Sequence, residues 1–198
     1  MGRRYGTSRQ RTGARSQADG AAWEEHVSAQ CELLALRGEA LVTKIGNPWQ
    51  IVDCIDRDRQ RFEVVPGAPQ ALDYQGVLRG GRLVSLEAKS SGHPTRFDFR
   101  LIADTQIERA AQQARMGALV LLLVERRHEL LRRDWHVLPV DGHGRIAGVA
   151  HKRCVGLSLE DEPTRGESVS WSGASAWQMR ARETWLDTAE RLGLLGMV

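Results

Sequence analysis

The run of seven apolar residues "ALVLLLV", from Ala118 to Val124, constrains the fold more than any other stretch of the sequence. It is far too short to cross a bilayer, which takes about 20 residues. An unbroken run of this length is typical of a strand that is buried on both faces of a sheet. It follows a predicted helix over residues 103–116, and residues 134–140 predict a further strand. A helix that leads directly into a buried strand indicates a β-α-β crossover, so we expect an α/β fold with a mixed central β-sheet flanked by helices.

The other elements are predicted from the spacing of apolar residues and from glycine and proline breaks. A first helix is expected from Asp19, whose side chain can cap it, to Arg37, and Gly38 ends it. The remaining predicted segments are strands over 39–45 and 49–55, a charged turn, short strand and connector over 56–70 that are compatible with a projecting hairpin, and a final helix over 175–192. Trp177 and Trp185, eight residues apart, would lie on one face of that last helix.

With 198 residues, the chain is long enough for one domain with a sizeable core and short for two. We expect a flexible basic arm over residues 1–17 and a single domain over 18–198, with its core at roughly 20–140 and a carboxy-terminal strand and helix over 168–192. The arm has no acidic residue and five arginines, which are Arg3, Arg4, Arg9, Arg11 and Arg15. Such a segment cannot fold by burial. A DNA-contacting arm and a solvated tail are equally good interpretations of it.

The cellular location is predicted from the amino terminus and the cysteines. The first 15 residues have no apolar stretch and therefore predict no secretory signal. Cys31, Cys54 and Cys154 lie far apart in the sequence and fit neither a disulfide framework nor a zinc spacing. We expect a cytoplasmic protein without a membrane partner.

The segment "QALDYQGVLRGGRLVSLEAKSSG", residues 70–92, predicts a β-hairpin with a three-residue, glycine-containing turn. If the turn is centred on Gly80, counting outward along both strands places Asp73 opposite Glu87. Residues that oppose each other on paired strands have Cβ atoms roughly 5 Å apart, and two like charges there are destabilising. A repulsion inside a regular element usually indicates a bound cation.

Asp73, Glu87 and Lys89 fit a hydrolytic site in which carboxylate oxygens hold a hard cation. Mg²⁺ prefers one or two carboxylates together with waters and substrate phosphate oxygens. Glu87 and Lys89 are two residues apart on a strand, so both side chains point to the same face. That arrangement puts an ammonium group where it can stabilise a charged transition state. On spacing alone, an exposed cross-strand Glu–Lys pair with an unrelated aspartate remains an open alternative.

The stretch "LDYQGVLRGGRLVSLEAKSS" resembles the corresponding run of RecU-type Holliday junction resolvases, which belong to the PD-(D/E)XK nuclease superfamily. The resemblance implies a restriction-endonuclease-like core around the sheet. Asp73 and Glu87 would then be the metal carboxylates, and Lys89 would be the catalytic lysine. The backbone carbonyl of Ala88 would supply a further metal ligand. The implied cofactor is Mg²⁺, for which Mn²⁺ can substitute.

Three more segments match the family in the expected order, so that the similarity spans roughly residues 20–140. "GAAWEEHV" resembles a helix motif in which a glutamate four residues after a glycine faces the site, here Glu24. "LVTKIGNPWQIV" resembles the strand, break and strand that follow, with Lys44 in the basic position. "DTQIERA" resembles the helix that carries a catalytic glutamine near the cleft, here Gln106. We expect Lys44 and Arg96 to contact DNA together with the arginines of the arm.

The chain departs from the family pattern at three places. The two threonines that often precede the first aspartate are Ala71 and Leu72 here, and the histidine beside the glutamine is Thr105. Residues 47–70, where these resolvases build a stalk that enters the junction, carry mixed charge and no recognisable stalk sequence.

The predicted function is a metal-dependent endonuclease that resolves four-way (Holliday) DNA junctions by paired nicks, in a bacterial or phage-infected cell. Its predicted partners are branched DNA and a second copy of the same chain, because two opposed nicks need two sites related by twofold symmetry. Two alternatives stay open. One is a general or restriction-like nuclease with the same catalytic residues, and the other is a non-catalytic module that binds branched DNA. Retention of both acids and the lysine argues against the second.

Overall fold

A five-stranded mixed sheet forms the centre of the computed structural model, which describes residues 8–46, 49–56, 58–59, 61–67, 72–128, 132–146, 168–171 and 174–196. In chain order the strands are β1 (Ala40–Lys44), β2 (Trp49–Asp56), β3 (Arg61–Pro66), β4 (Tyr74–Leu78), β5 (Leu83–Ser91), β6 (Arg96–Asp98), β7 (Leu119–Arg127), β8 (Arg133–Pro139) and β9 (Ser168–Ser170). The central sheet has the order β1-β4-β5-β7-β8. Two small sheets pair β2 with β3 and β6 with β9.

The connection between β5 and β7 sets the topology of the sheet. These two strands are parallel, whereas the other neighbours in the sheet are antiparallel. The chain passes from β5 to β7 through a helix, as a parallel pair requires. The helices are α1 (Ser8–Leu36), α2 (Asp104–Arg115) and α3 (Trp185–Arg191), with short 3₁₀ turns at Phe99–Leu101, Ser175–Trp177 and Leu194–Gly196. The predicted β-α-β crossover and mixed α/β fold are confirmed.

The core lies in two layers, one on each face of the sheet. Trp23 and Leu34 of α1 pack with Leu121 of β7 on one face. Ile107 of α2 packs with Leu122 of β7 on the other face. Because side chains alternate along a strand, β7 contributes to both layers and needs apolar residues at every position. The uninterrupted apolar run therefore follows from the interior place of β7 in the sheet, with a layer of the core on each face.

The first helix is longer than the sequence indicated. It was expected from Asp19, and α1 instead begins at Ser8. Residues 8–17 of the predicted arm therefore have a helical backbone, while residues 1–7 lie outside the described part of the chain. The segment 8–19 is rich in arginine, glutamine and alanine, which favour helices, and it contains no proline. Gly13 and Gly20 weaken the helix but do not end it, and no proline stops it at Asp19.

A glycine lets β1 approach β4 closely. A Cβ atom built on Gly76 would lie 1.9 Å from the carbonyl oxygen of Leu41 and 2.6 Å from the Cα of Val42. Gly76 lies opposite Val42 in the register of the two strands. Any side chain at this position would overlap the backbone of β1, so the pairing of β1 with the sheet depends on glycine here.

The prediction of one continuous helix over residues 175–192 is wrong. The chain forms a 3₁₀ turn at Ser175–Trp177, and α3 begins only at Trp185. Trp177 and Trp185 therefore do not share a helical face. Trp185 is fully buried under α1, and Trp177 is only partly buried.

Two interactions divide that segment. The N–H of Met179 donates to the carbonyl of Trp135 at 2.8 Å, so the outer edge of β8 holds the chain in an extended conformation. Thr184 then starts a new helix, because its side chain and that of Asp187 cap each other's backbone N–H groups. Neither contact can be inferred from the spacing of the apolar residues alone.

The β2–β3 hairpin carries apolar side chains on its surface. Ile51, Ile55 and Phe62 are 65%, 60% and 45% exposed. In the described residues these strands pair only with each other, which agrees with the hairpin considered for residues 56–70. No helix in the described ranges is long and apolar enough to cross a membrane.

Candidate active site

The hairpin of β4 and β5 brings two carboxylates together. The register of the two strands, continued by one residue beyond Tyr74, places Asp73 opposite Glu87. The turn bends at Gly80, whose φ of 96° is a conformation that glycine adopts without strain. The predicted opposition of the two acids is confirmed. The hydrogen bonds around them define the geometry of the candidate site.

Asp73 is fixed by the backbone of the neighbouring strand. The N–H of Ala88 donates to Oδ2 of Asp73 at 2.9 Å, and the N–H of Asp73 donates to Oε2 of Glu87 at 3.4 Å. The ladder of β4 with β5 ends at Tyr74, so the Asp73 carboxylate accepts the next N–H of β5 in place of a backbone carbonyl. In an extended strand the C=O of a residue points to the same edge as its N–H. The carbonyl of Ala88 therefore faces Asp73.

Glu87 of β5 is buried, and its carboxylate contacts one side chain of α2 and one of β5. Only 4% of the residue is exposed. Its Oε1 accepts a hydrogen bond from Nε2 of Gln106 at 2.6 Å and forms an ion pair with Nζ of Lys89. The other side of the Gln106 amide accepts the N–H of Ala103 at 3.0 Å, which orients Nε2 toward the carboxylate. Burial, followed by the negative charge of Asp73, raises the pKa of Glu87 to about 7, although Lys89 opposes this shift.

The raised pKa of Glu87 predicts a pH-dependent stability of the metal-free protein. An ordinary glutamate pKa of 4.5 applies to the unfolded chain, so folded Glu87 keeps a proton between pH 4.5 and about 7 that the unfolded chain releases. Stability then falls as pH rises through this window, because the folded state binds more protons. We expect the contribution of Glu87 to the free energy of unfolding to fall by roughly 1–3 kcal/mol between about pH 5 and about pH 8. Buried His136, whose pKa is lowered to about 4, changes stability in the opposite direction, so the contribution of Glu87 is measured as the difference between wild type and a variant without this carboxyl.

Urea unfolding of wild type and Glu87→Gln, both with a chelator, measures this effect. The variant cannot titrate at this position, so it should lose most of that decline and be the more stable protein at high pH. Glu25→Gln, which removes an exposed acid of α1, serves as the matched control and should keep the wild-type pH profile. Identical pH profiles for wild type and Glu87→Gln would contradict the prediction.

Glu24 and Lys44 form an ion pair beside the carboxylates. Nζ of Lys44 lies 2.5 Å from Oε2 of Glu24, and this hydrogen bond is the main cause that raises the pKa of Lys44. The charge of Asp73 contributes to the same shift, so Lys44 lies within electrostatic reach of the site. The hydroxyl of buried Tyr74 donates to the carbonyl of Glu24 at 2.6 Å and thereby joins α1 to β4. This role of Tyr74 was not predicted from the sequence, although an aromatic residue directly after Asp73 was a signal for it.

The structure describes the side chains of some residues that were predicted to bind DNA, and not of others. Lys44 and Arg96 are exposed, and Arg96 begins β6, in the segment that follows β5. Arg3 and Arg4 lie outside the described residues. The structure describes only the backbone, within α1, for Arg9, Arg11 and Arg15.

The donor set at the hairpin fits a hard divalent cation. Two carboxylates and one backbone carbonyl converge on one edge of β5, and a single lysine does not neutralise both acids. Among the described residues no third His, Cys, Asp or Glu joins a metal-binding group. Mg²⁺ suits such a site, because it takes one or two carboxylates and fills its other positions with water and phosphate oxygens. Asp73, Glu87 and the carbonyl of Ala88 are the groups that would hold it.

Comparisons with known proteins found one family and several solved structures that resemble this chain. The model of the family described as RecU, recombination protein U, matches residues 18–131, which include the hairpin, α2 and most of α1. Twelve chains of solved structures match, among them Archaeoglobus fulgidus Hjc, a Holliday junction resolvase from an archaeal hyperthermophile. That structure is 11% identical, covers 88% of this chain and 96% of its own, and superposes with a TM-score of 0.44. No curated protein matches the chain.

Proposed function

Because the chain belongs to the RecU family of Holliday junction resolvases, we propose that Asp73, Glu87 and Lys89 form the site at which it hydrolyses junction DNA. The observation that carries this proposal is the opposition of Asp73 to Glu87 on a hairpin that lies inside the matched region. Lys89 follows on the same face of β5 and contacts Glu87.

The proposed reaction is the hydrolysis of a phosphodiester, in which a water oxygen bonds to phosphorus and one P–O bond breaks. When bound, Mg²⁺ would supply an acidified water and would neutralise charge on the phosphate. Lys89 would stabilise the negative charge that develops on the phosphate oxygens, because its ammonium group is fixed before the reaction begins. Gln106 would hold Glu87 in the orientation that binding requires.

The proposed assembly is a homodimer on a four-way junction. Two nicks on opposed strands need two sites related by a twofold axis, and a C2 dimer supplies them. Lys44, Arg96 and the arginines of the arm are the proposed backbone contacts, since phosphate contacts position a protein on DNA without reading its sequence. Glu24 would take part by setting the position of Lys44.

Incubation with labelled four-way, duplex and single-stranded DNA, with and without Mg²⁺, tests the proposal. The expected result is metal-dependent, symmetric cleavage near the branch point of the junction only. Equal cleavage of duplex DNA would favour a general nuclease, and binding without cleavage would favour a non-catalytic module. Light scattering that finds a monomer, both free and on the junction, would exclude paired nicking by a dimer.

A further inference from the structure

Four arginines form a cluster at the end of β7 and the start of β8. They are Arg126, Arg127, Arg132 and Arg133, hereafter the β7–β8 arginine cluster. Arg127 lies directly opposite Arg133 in the register of the two strands. Like charges in opposed positions destabilise a strand pair. Glu125 pairs with Arg133 and Asp134 pairs with Arg132, so four arginines meet two described acids, and this excess of positive charge favours an anionic ligand.

The cluster lies at the same edge of the sheet as the catalytic residues. β7 runs parallel to β5, so the carboxyl ends of the two strands meet there. Lys89 pairs with Val124 and Ser91 pairs with Arg126, which places Arg126 one strand away from Lys89 and two residues farther along. From strand geometry the two Cα atoms are roughly 8 Å apart. A DNA strand that lies in the site would therefore pass the cluster.

Arg126 is held in place without a direct ion pair in the described part of the chain, although Asp134 lies opposite it in the register of β7 and β8. One of its guanidinium nitrogens donates to the carbonyl of Pro94 at 2.8 Å, and its Cζ lies 5.3 Å from the ring centroid of Trp171. Among the described residues no carboxylate forms an ion pair with Arg126. The guanidinium is thus oriented by a loop and an aromatic ring and can still bind an anion.

Two other arginines of the cluster form ion pairs with acidic residues. Arg133 forms an ion pair with Glu125, which is 1% exposed, and Arg132 forms one with Asp134. Arg127 extends along the loop after β5, because a nitrogen of its guanidinium lies 3.6 Å from where a Cβ on Gly92 would be. Arg126 and Arg127 therefore approach this loop from the two faces of β7. They are the members closest to the proposed path of the cleaved strand.

We propose that Arg126 and Arg127 bind phosphates of the DNA strand next to the phosphate that is cut. This inference rests on the proposed nuclease function and extends the DNA-binding surface beyond the arm, Lys44 and Arg96. The ligand is the sugar-phosphate backbone rather than base edges, because planar guanidinium groups match phosphate oxygens and nothing here selects a base. Arg126 lies within the matched family region, but Trp171, which orients it, lies outside that region.

The test uses the full chain with Arg126→Gln, Arg127→Gln and both changes together. Binding to a four-way junction is measured against salt concentration in the presence of a chelator, so that no cleavage occurs. Each phosphate contact contributes about 0.9 to the slope of log K against log salt, so the double variant should lose about 1.8. By the same rule, each lost contact should weaken binding by roughly fivefold to tenfold at about 0.1 M salt. Arg126→Lys keeps the charge and should keep most of the slope.

The matched control is Arg79→Gln. Nε of Arg79 also donates to a backbone carbonyl, that of Gly38 at 2.9 Å, but Arg79 lies in the β4–β5 turn at the opposite end of the sheet. Its salt slope should equal that of wild type. Thermal unfolding of every variant tests whether it is folded. Arg127→Gln leaves the contact of Arg126 with Trp171 intact. If Arg126→Gln does not fold, the salt slope of Arg127→Gln tests the inference.

A wild-type slope in both Arg127→Gln and the double variant would overturn this inference while leaving junction cleavage by the wild type as support for the proposed function. An equal loss of slope in Arg79→Gln would also overturn it, because the effect would then belong to net charge alone. If the wild type itself neither binds nor cuts junction DNA, the proposed function fails together with this inference.

Discussion

Asp73→Asn and Glu87→Gln are each expected to lower the rate of junction cleavage by roughly a thousandfold or more, because a catalytic metal contributes several kcal/mol of transition-state stabilisation. Each change keeps the size of the side chain and removes a carboxylate that is proposed to hold the cation. Junction binding should stay as tight as in wild type or become tighter, since one negative charge near the phosphates is gone. Single-turnover cleavage and equilibrium binding measured on the same DNA separate the two effects.

Two further variants test whether the loss of cleavage is specific to the proposed catalytic residues. Lys89→Ala should also stop cleavage, although both carboxylates remain. Glu25→Gln should cleave normally, because Glu25 is exposed on α1 next to Glu24 but makes no described contact with the hairpin acids. Normal cleavage in either carboxylate variant would mean that the opposed pair has a structural role instead.

The second large effect is expected from Gly76→Ala, which should destabilise the fold by about 3 kcal/mol or more. The new methyl group would start 1.9 Å from the carbonyl oxygen of Leu41, and backbone atoms cannot move aside as the end of a flexible side chain can. β1 must therefore separate from β4 or shift along it. In a chain of this size, such a loss lowers the melting temperature by roughly 6–12 °C.

Gly20→Ala is the matched control for this prediction. Gly20 lies inside α1, and a Cβ there meets no atom within 4 Å. Alanine is favoured over glycine in a helix by about 0.5–1 kcal/mol, so the same substitution should stabilise the protein at this position. Calorimetry should therefore show opposite shifts for the two variants. Shifts of the same sign and size would show that the close approach of β1 to Gly76 does not limit stability.

The carboxylate pair could be predicted because its geometry is local. The turn length and the two-residue period of strands fix which residues face each other, so counting from Gly80 sufficed for Asp73 and Glu87. The crossover through α2 was equally accessible, because a continuous apolar run directly after a helix is typical of a buried strand in such a crossover. The place of Gln106 above Glu87 followed only from the family resemblance.

The parts that could not be predicted depend on contacts between distant segments. The break before α3 needs the carbonyl of Trp135 on β8, more than forty residues earlier than Met179. The position of Arg126 depends on the register of β5 against β7, and these two strands are separated in the sequence by α2. Apolar spacing carries no information on either pairing, and a charge run such as "ERRHELLRRD" does not indicate which strand end it extends.

The parallel pairing of β5 with β7 has a consequence for the order in which the site is assembled. Asp73 and Glu87 are joined by a tight turn, and hairpins of this kind form within roughly 1–10 μs. The pairing with β7 and the docking of α2 close a longer loop, and such non-local contacts form more slowly. We therefore expect the two acids to meet while water still surrounds them. Glu87 would lose that water only when Gln106 arrives, so the step that dehydrates the carboxylate is also the late step of folding.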